Sequence, residues 1–367
     1  MSRAARPRVI VAMSGGVDSS VAAARLLDDG YDVVGVTLHL WDYPDDPGAA
    51  GGHGRCCAPE DQYDARRVAD ALGFPHYTFD RRELFARTVV APFVDAYVAG
   101  ETPSPCTACN RGVKLGELVG IADRLGAALI ATGHYARVVD RGGAPHVARG
   151  VDRDKDQSYF LYATPPPLVA RLVFPLGDAQ KEEVRAEAAR RRLHGAHKGE
   201  SQELCFVGQG AGAYASFVEA RADGRVRPGA IVDDEGRVVG HHEGVHRFTI
   251  GQRKGLGVAL GKPAFVTRID AGTGTVFLGG AAELDAHGAE LDEVVLAPGA
   301  SLPTRASVRV RYRHEPAPAR VEPLGAARAR VTFDAPVRAV TRGQIAVLYD
   351  GDVVLGGGRI ARALGRD

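Results

Sequence analysis

Apolar runs alternate with helical periodicity over the first 131 residues of the chain. Unbroken apolar runs at residues 9–13 and 127–131, and a mostly apolar run at residues 31–38, are typical of strands buried on both faces, since no side of such a strand meets water. A shorter strand is predicted at residues 76–79. In the segments between these runs, apolar residues recur every three or four positions, which predicts helices over about residues 17–27, 60–72, 82–98 and 112–125. This alternation predicts an α/β fold built on a doubly wound parallel sheet.

Further along the chain the pattern changes to short strands. A hairpin is predicted around residues 141–143, and a strongly charged helix over residues 180–193. Residues 206–285 are rich in glycine with short strand-like runs, which predicts a small central β-rich domain. From residue 286 onward, six or so short strands at turn spacing predict a C-terminal β-barrel or sandwich. We therefore expect three domains, over residues 1–205, 206–285 and 286–367.

Arginines alternate with apolar residues in the last domain. Every second residue from Arg309 to Arg313 is arginine, and Arg328 and Arg330 precede Val331 and Phe333 in the same alternating pattern. In a strand, such alternation places the apolar side chains on one face and the arginines on the other. We expect the arginine face to be exposed and able to meet RNA phosphates.

Composition limits the class of protein. The chain of 367 residues carries 46 basic and 45 acidic residues, so contact with a nucleic acid requires a local basic surface. No run of about 18 apolar residues occurs, and the basic start lacks the apolar core of a signal peptide, so we expect a soluble, cytoplasmic protein. The five cysteines are too few for a secreted disulfide framework and favour reactive or metal-binding thiols.

A short stretch with the sequence SGGVDS, residues 14–19, connects the first predicted strand to the first predicted helix. Its two glycines let the backbone approach a ligand, and the unpaired N–H groups at the start of a helix favour an anion such as phosphate. The stretch lacks the lysine of a Walker A loop and the spacing of a dinucleotide fingerprint. It resembles the pyrophosphate loop of ATP pyrophosphatases, which split ATP into AMP and pyrophosphate. A glycine-rich turn without a ligand is the plain alternative.

Cys106 and Cys109 form a Cys-X-X-Cys pair just ahead of the helix predicted over residues 112–125. A thiol at a helix N-terminus has a lowered pKa and is more often the nucleophilic thiolate. Cys205 lies far along the chain, so it can cooperate with this pair only if the fold joins them. The alternatives are buried cysteines without chemistry, and a zinc site, which is weaker because Cys56 and Cys57 are poorly spaced as further ligands.

Three further segments carry polar side chains suited to ligands. ATGHYA, residues 131–136, places Gly133 and His134 at the end of a buried strand, where ligands of parallel sheets bind. KDQSY, residues 155–159, offers a cation and an amide suited to phosphate or base edges. GQRKGLG, residues 251–257, places two cations between glycines. Each has a structural alternative as a turn or a solvated loop.

In this order and at these spacings, the segments closely resemble those of the bacterial tRNA-specific 2-thiouridylases, enzymes of the ATP pyrophosphatase superfamily that place sulfur on the wobble uridine of tRNA. The resemblance spans residues 9–358 and implies a pyrophosphatase domain, a small central domain and a C-terminal β-barrel that helps to hold the tRNA. The segments that carry it are SGGVDS, PSPCTACN, ATGHYAR, KDQSYFL, SQELCF and GQRKGLG.

The resemblance also implies a mechanism in which ATP turns the uridine C2 oxygen into a leaving group. The oxygen attacks the α-phosphate, pyrophosphate leaves, and sulfur then displaces AMP. Cys205 would carry the sulfur as a persulfide, Cys109 would act as the nucleophile, and the two would end as a disulfide that needs reduction. Mg²⁺ would screen the phosphates, with Asp18 as its candidate ligand.

The remaining site residues follow from the same resemblance. Those implied in ATP binding are Ala12, Met13, Ser14, Gly15, Gly16, Val17, Asp18, Ser19, Leu38 and Gly133. Those implied in contacts with tRNA or its target base are Ser104, Pro105, Cys106, His134, Lys155, Asp156, Gln157, Arg311, Tyr312 and Gln344. The implied partners are tRNA and a sulfur donor protein, either a cysteine desulfurase or a sulfur relay protein. We expect no membrane partner and a monomeric chain.

The chain departs from the family at residues 104–106, where many members carry Asn-Pro-Asp and this chain has Ser-Pro-Cys. In one interpretation Cys106 replaces a side chain that contacts the base, and the persulfide route stands. In the other, Cys106, Cys109 and Cys205 hold a four-iron iron–sulfur cluster whose open iron binds the sulfur to be transferred. We favour the first interpretation.

Two functions of other classes would keep part of these features. A non-catalytic tRNA-binding protein would keep the basic barrel but would not need a pyrophosphate loop beside paired thiols. An ATP-dependent amide-forming ligase would keep the loop but would have no use for Cys109 and Cys205. The sequence therefore favours an ATP-dependent tRNA-uridine 2-sulfurtransferase. It leaves open which tRNAs are used and whether Cys56 and Cys57 take part.

Overall fold

The structure, a computed structural model, describes residues 6–42, 59–195, 204–208, 210 and 212–365. The loop predicted between residues 42 and 59, with Cys56 and Cys57, falls almost entirely outside the described residues, as do residues 201–203 of the SQELCF segment. The described residues divide into two compact units. The first unit draws on residues 1–89, 106–207 and 352–354, and the second on residues 90–105, 208–351 and 355–367.

Helices and strands alternate in the first part of the described chain, and strands predominate after the last helix. The helices are α1 (Val17–Asp28), α2 (Pro59–Leu72), α3 (Arg82–Phe85), α4 (Ala91–Val98), α5 (Pro105–Cys109), α6 (Leu115–Arg124), α7 (Pro166–Val169), α8 (Lys181–Arg190) and α9 (Ala213–Glu219). Two π-helical turns lie at Ala86–Val90 and Asn110–Lys114, and 3-10 turns at Ser158–Leu161, Val245–Arg247 and Ala281–Leu284. The strands are β1 (Arg8–Ala12), β2 (Asp32–His39), β3 (His76–Asp80), β4 (Leu129–Thr132), β5 (Ala136–Arg141), β6 (Ala144–Arg149), β7 (Leu172–Val173), β8 (Gly229–Val232), β9 (Val238–His242), β10 (Phe265–Asp270), β11 (Thr275–Gly279), β12 (Asp285–Leu296), β13 (Thr304–Arg309), β14 (Ala317–Gly325), β15 (Arg328–Arg338), β16 (Ile345–Asp350) and β17 (Val353–Leu364).

The first unit is built on a five-stranded parallel sheet in the order β3-β2-β1-β4-β7. Its central strands are fully buried at Val9, Ile10 and Ile130, as their apolar runs predict. The α/β prediction is therefore confirmed. Ala12 at the end of β1 pairs with Thr132 at the end of β4, so the loops that follow these two strands begin side by side.

A hairpin of β5 and β6 extends the first unit, as predicted around residues 141–143. Gly142 and Gly143 form its turn and both have positive φ, which glycine adopts without steric cost. The start of β17 joins the hairpin, because Val353 pairs with Ala148. The charged helix predicted over residues 180–193 is α8, which packs its buried Val184 and Ala188 into a cluster that includes Val21 of α1.

The second unit contains a central sheet and a barrel. The central sheet has the order β10-β11-β8-β9 around a small apolar core that includes Ile231, Val266 and Val276. The barrel runs in the order β12-β15-β14-β13-β16-β17 and closes where β12 also pairs with β17. Its core contains Val308 and Val331, both fully buried. The predictions of a small central β-rich domain and a C-terminal barrel are confirmed.

The helical region expected over residues 82–98 is confirmed, with the π-helical turn Ala86–Val90 inside it. Two local predictions need correction. The helix expected from residue 112 begins earlier, at Pro105, because proline fits the first turn of a helix. The arginine alternation holds at Arg328 and Arg330, which are exposed, but not at Arg309, which is buried. Strand β13 ends at Arg309. The Nε atom of Arg309 donates a hydrogen bond to the carbonyl oxygen of His314 across the following turn.

No helix among the described residues is both long enough and apolar enough to cross a membrane.

Candidate active site

The SGGVDS loop joins β1 to α1 and is shaped by its own serines. Gly16 is the N-cap residue of α1 and has no side chain with which to cap the first turn. The Ser19 hydroxyl instead stays within the loop, since Ser19 Oγ lies 3.2 Å from both the Ser14 N atom and the Gly16 carbonyl oxygen. Gly15 has φ of +71° and passes close to Asp61 of α2. The loop thus places uncapped N–H groups of a helix N-terminus at the edge of the sheet, which is the geometry of an anion site.

The loop after β4 lies directly against this helix N-terminus. A Cβ atom added at Gly133 would stand 2.9 Å from the Asp18 carbonyl carbon and from the Ser19 nitrogen, so only glycine fits there without a shift. Leu38, the other residue implied in nucleotide contact, is a buried residue of β2. The structure thus brings Gly133 to the SGGVDS loop, as the sequence predicts for ligands at the carboxyl ends of parallel strands.

His134 follows Gly133 and is held in a fixed orientation. Its Nδ1 atom is 2.7 Å from Thr132 Oγ1, and its ring meets the edge of the Phe174 ring at 6.2 Å between centroids. Burial, and after it the positive charge of Lys114, lowers the pKa of His134 from 6.5 to about 3. His134 is therefore neutral at physiological pH and acts as a hydrogen-bonding ring but not as a cation.

This neutrality can be measured. We expect ¹⁵N NMR of histidine-labelled protein to show a neutral His134 ring from about pH 5 to pH 8. Because its pKa of about 3 lies below the unfolded value of 6.5, the native state should lose stability relative to His134→Gln as pH falls from about 6.5 toward 3, and should not change in this respect above about pH 6.5. A His134 ring that titrates near its ordinary pKa would contradict the geometry described here.

Asp18, the candidate magnesium ligand, is engaged by two side chains from other elements. The Lys181 ammonium donates to both of its oxygens, at 2.7 Å and 2.8 Å, and the Tyr135 hydroxyl donates to its Oδ1 atom at 2.9 Å. Lys181 begins α8 and lies 163 residues from Asp18 in the chain. A sequence motif gives no sign of this partner, because the contact is made by the packing of α8 against α1.

The two cysteines of the Cys-X-X-Cys pair have different surroundings. Cys106 is exposed near the start of α5, whereas Cys109 is buried at its last residue, immediately before the π-helical turn Asn110–Lys114. The expectation that Cys109 lies at a helix N-terminus is therefore wrong, since α5 begins at Pro105 and the helix dipole acts on Cys106 instead.

Asn110, which the sequence reasoning did not select, follows Cys109 and is 4% exposed. Its Oδ1 atom has no hydrogen-bond partner among the described residues. A buried amide oxygen without a partner is rare and costs free energy. The Asn110 Oδ1 atom can therefore accept a hydrogen bond from a ligand that binds at this turn. A π-helical turn is itself a common feature of functional sites.

Cys205 is half-buried in the same unit and is followed by an aromatic anchor. The buried Phe206 ring packs edge-on against Phe85 and Trp41, with centroid distances of 5.5 Å and 6.3 Å. Cys106, Cys109 and Cys205 thus belong to one unit. However, no group of three or more Cys, His, Asp or Glu side chains that could hold a metal ion occurs in the described part of the chain. The iron–sulfur interpretation gains no support from this arrangement.

In the KDQSY segment, the side chains of Asp156 and Gln157 form hydrogen bonds with the protein backbone. Asp156 is buried, and its Oδ1 atom accepts hydrogen bonds from the backbone N–H groups of Gly150 and Ser158. Gln157 Oε1 accepts from the backbone N–H of Tyr135 at 3.0 Å, which ties this loop to the end of β4. Lys155 is half-buried.

In the second unit, Gln344 reaches the segment that precedes α5. Its Nε2 atom donates to the carbonyl oxygen of Thr102 at 2.8 Å. In the same segment Glu101 forms ion pairs with Arg342 and Arg359, at 2.8 Å and 3.0 Å. These barrel residues thus hold the stretch that leads into Ser104, which is half-buried, and Pro105, which is buried.

Arg311 and Tyr312 lie in the turn after β13. Arg311 is exposed and Tyr312 is half-buried, with the Arg309 guanidinium 5.5 Å from the Tyr312 ring centroid. An exposed arginine beside an aromatic ring is chemically suited to a phosphate and a base, and the contact of this turn with tRNA stays a prediction.

Family models and curated relatives match almost the whole chain. The models match as the tRNA methyl transferase HUP domain over residues 7–209, the tRNA methyl transferase PRC-barrel domain over 216–280 and the aminomethyltransferase beta-barrel domain over 292–360. A tRNA-specific 2-thiouridylase MnmA of Sorangium cellulosum is 62% identical over 97% of this chain and 93% of its own length. Those of Geobacter metallireducens and Moorella thermoacetica are 46% and 48% identical, over 99% and 96% of this chain and 99% and 98% of their own lengths. With an α/β domain that carries the SGGVDS loop and a C-terminal barrel, the chain belongs to the family of tRNA-specific 2-thiouridylases.

Proposed function

We propose that the chain uses ATP to exchange the C2 oxygen of a tRNA wobble uridine for sulfur. The observation that carries this proposal is the presence of an anion-binding loop and a buried cysteine, Cys109, in one α/β unit of a chain whose curated relatives are 2-thiouridylases. An amide-forming ligase would have no need of that cysteine, and a binding protein would have no need of the loop.

ATP is required because the uridine C2 oxygen is a poor leaving group. The oxygen attacks the α-phosphate of ATP, the bond to the β-phosphate oxygen breaks, and pyrophosphate departs with the electron pair. The adenylated base then has AMP as its leaving group. The SGGVDS loop and Gly133 hold the nucleotide, since their backbones come close enough to each other that a Cβ atom at Gly133 would collide.

Sulfur enters in the second half of the reaction. In one route the Cys109 thiolate attacks Cys205 Sγ of a persulfide, and the outer sulfur leaves as hydrosulfide and displaces AMP, which departs with the former C2 oxygen. In the other route Cys109 attacks C2 and displaces AMP, the outer sulfur of the Cys205 persulfide displaces Cys109 from C2, and the freed Cys109 thiolate attacks Cys205 Sγ to release the thiolated base. When Cys109 attacks the persulfide, the two cysteines finish as a disulfide that a reductant must open before the next cycle. Cys109 is 6% exposed, so little water reaches its thiol.

Mg²⁺ would be held by Asp18 together with the phosphates of ATP, and would screen their charge. Three of the four lone-pair positions of this carboxylate are taken by Lys181 and Tyr135, so one position on Oδ2 remains for a metal ion. The residues present therefore fit a shared role in which Lys181 and a metal ion both balance phosphate charge.

For the tRNA, we propose that Arg311, Tyr312, Lys155 and His134 meet the RNA directly. Asp156, Gln157 and Gln344 act instead through the loops that they hold. A sulfur donor protein, either a desulfurase or a relay protein, loads Cys205. Action as a monomer in the cytoplasm is part of the same proposal.

The function is tested by mass analysis of nucleosides from tRNA incubated with the protein, Mg-ATP and a persulfide donor. We expect 2-thiouridine at the wobble position, with AMP and pyrophosphate formed in equal amounts to it. Wobble uridine that gains no sulfur under these conditions would refute the proposal.

Cys106→Ser separates the two routes for sulfur. Since Cys106 is exposed and the persulfide route does not use its thiol, the variant should form 2-thiouridine at a rate within a few-fold of the parent. In the iron–sulfur route the same change removes a cluster ligand and should abolish activity. Iron and sulfide analysis of anaerobically purified protein gives an independent readout, with neither expected.

A further inference from the structure

A lysine from α8 lies beside the SGGVDS loop, which has no lysine of its own. The Lys181 Nζ atom donates to both carboxylate oxygens of Asp18, at 2.7 Å and 2.8 Å. The Lys181 side chain is 7% exposed, whereas Glu182 and Glu183, the next two residues of α8, face solvent. The first turn of α8 therefore directs one cation toward the loop.

Neither helix preference nor burial explains a lysine at this position. Lys181 is the first residue of α8, where the positive end of the helix dipole disfavours a cation. Burial of an ammonium group also costs free energy that only good pairing offsets. A lysine that is disfavoured both by the helix dipole and by burial is expected where its positive charge has a functional role.

The backbone around Lys181 is held firmly. Its N–H donates to Asp152 Oδ2 at 2.9 Å, while Asp152 Oδ1 accepts from the N–H groups of Asp154 and Lys155. The N-cap residue Gln180 and Glu183 complete a capping box. The start of α8 and the loop that carries Lys155 are thus fixed by one buried carboxylate.

Asp18 is held from a second side as well. The Tyr135 hydroxyl donates to Asp18 Oδ1 at 2.9 Å, and Lys181 Nζ lies 5.5 Å from the Tyr135 ring centroid. Asp18 is the second residue of α1, in the first turn of the helix whose N–H groups form the anion site. The Lys181 ammonium is therefore oriented at the point where phosphate charge would accumulate.

We propose that Lys181 is the phosphate-site cation of this enzyme, contacting the β- and γ-phosphates of ATP and stabilising pyrophosphate as it leaves. When the uracil oxygen bonds to the α-phosphorus, the bond from that phosphorus to the bridging oxygen breaks, and its electron pair stays on pyrophosphate. An ammonium held at this oxygen lowers the barrier because it is already oriented before the charge develops. Asp18 keeps the ammonium in place until ATP arrives. The proposal rests on the ATP-dependent reaction proposed above.

The test compares Lys181→Ala, Lys181→Arg and Arg190→Gln with the parent. Arg190 is an exposed cation at the other end of α8 and serves as the matched control. In single-turnover reactions with tRNA and Mg-ATP, we expect pyrophosphate release to slow about 100-fold in Lys181→Ala. Methylammonium added to the buffer should restore part of this rate in Lys181→Ala alone. Lys181→Arg should keep part of the rate, Arg190→Gln all of it, and tRNA affinity should be unchanged throughout.

Two results would overturn the role of Lys181. One is parental pyrophosphate release in Lys181→Ala. The other is a loss of release that methylammonium does not restore and that comes with a matching fall in melting temperature, because a structural role alone would produce it. Failure of the wider reaction is distinguishable, since the parent protein would then form no 2-thiouridine at all.

Discussion

Cys109→Ala is expected to stop 2-thiouridine formation while pyrophosphate is still released from ATP. The substitution removes the thiol that we propose as the nucleophile for sulfur release or delivery, and it leaves the SGGVDS loop, Gly133 and the Asp18–Lys181 pair intact. The loss of product should be at least about 1,000-fold, as for other catalytic nucleophiles. The measurement is parallel quantification of 2-thiouridine, AMP and pyrophosphate after one turnover. The activated base should then accumulate or return to uridine by hydrolysis.

Cys205→Ala should give the same loss when sulfur arrives on a persulfide donor protein. Cys106→Ser, three residues before Cys109 in the same short helix, is the matched control and should form 2-thiouridine at a rate within a few-fold of the parent. If Cys109→Ala forms 2-thiouridine at the parental rate, the assignment of Cys109 as nucleophile is wrong. If it loses pyrophosphate release as well, Cys109 acts before sulfur transfer and the order of steps proposed here fails.

The second large effect is expected for Gly15→Ala. Gly15 has φ of +71°, and an added Cβ atom would lie 2.1 Å from the backbone carbonyl oxygen of Asp61. The left-handed backbone costs a non-glycine residue about 1–2 kcal/mol, and the overlap forces the loop away from α2. We expect ATP affinity, measured by calorimetry, to fall at least about 100-fold, equivalent to about 2.7 kcal/mol.

Gly30→Ala separates backbone strain from loss of the site. Gly30 has a similar φ of +84°, but an added Cβ atom would meet nothing within 4 Å. It should therefore lower the free energy of unfolding by about 1 kcal/mol and leave ATP affinity unchanged. Equal ATP affinity in the parent and in Gly15→Ala would show that the SGGVDS loop does not hold the nucleotide.

Much of this fold follows from local sequence patterns. The unbroken apolar run of β1 predicts a buried parallel strand, and the two glycines at 142–143 predict a hairpin turn. Both predictions depend only on neighbouring residues, which is why they succeed. The prediction that Cys109 lies at a helix N-terminus was wrong for a local reason. The helix begins at Pro105, whereas the apolar periodicity is visible only over residues 112–125.

Contacts between residues that are distant along the chain could not be predicted from the sequence. Lys181 and Asp18 meet because α8 packs on α1, and no motif links residues 163 positions apart. Asp156 and Gln157 form a polar segment that is typical of an RNA contact, yet both side chains accept hydrogen bonds from backbone N–H groups of the protein. Polarity alone does not distinguish a side chain that binds a ligand from one that satisfies buried N–H groups.

Oxygen tracing tests most directly the central claim that ATP makes the uridine oxygen leave. A tRNA whose wobble uridine carries ¹⁸O at C2 is converted with Mg-ATP and a persulfide donor, and the products are analysed by mass spectrometry. The proposed mechanism predicts that the label appears in the phosphate of AMP, in an amount equal to the 2-thiouridine formed. Label in water or pyrophosphate, with unlabelled AMP, would contradict it.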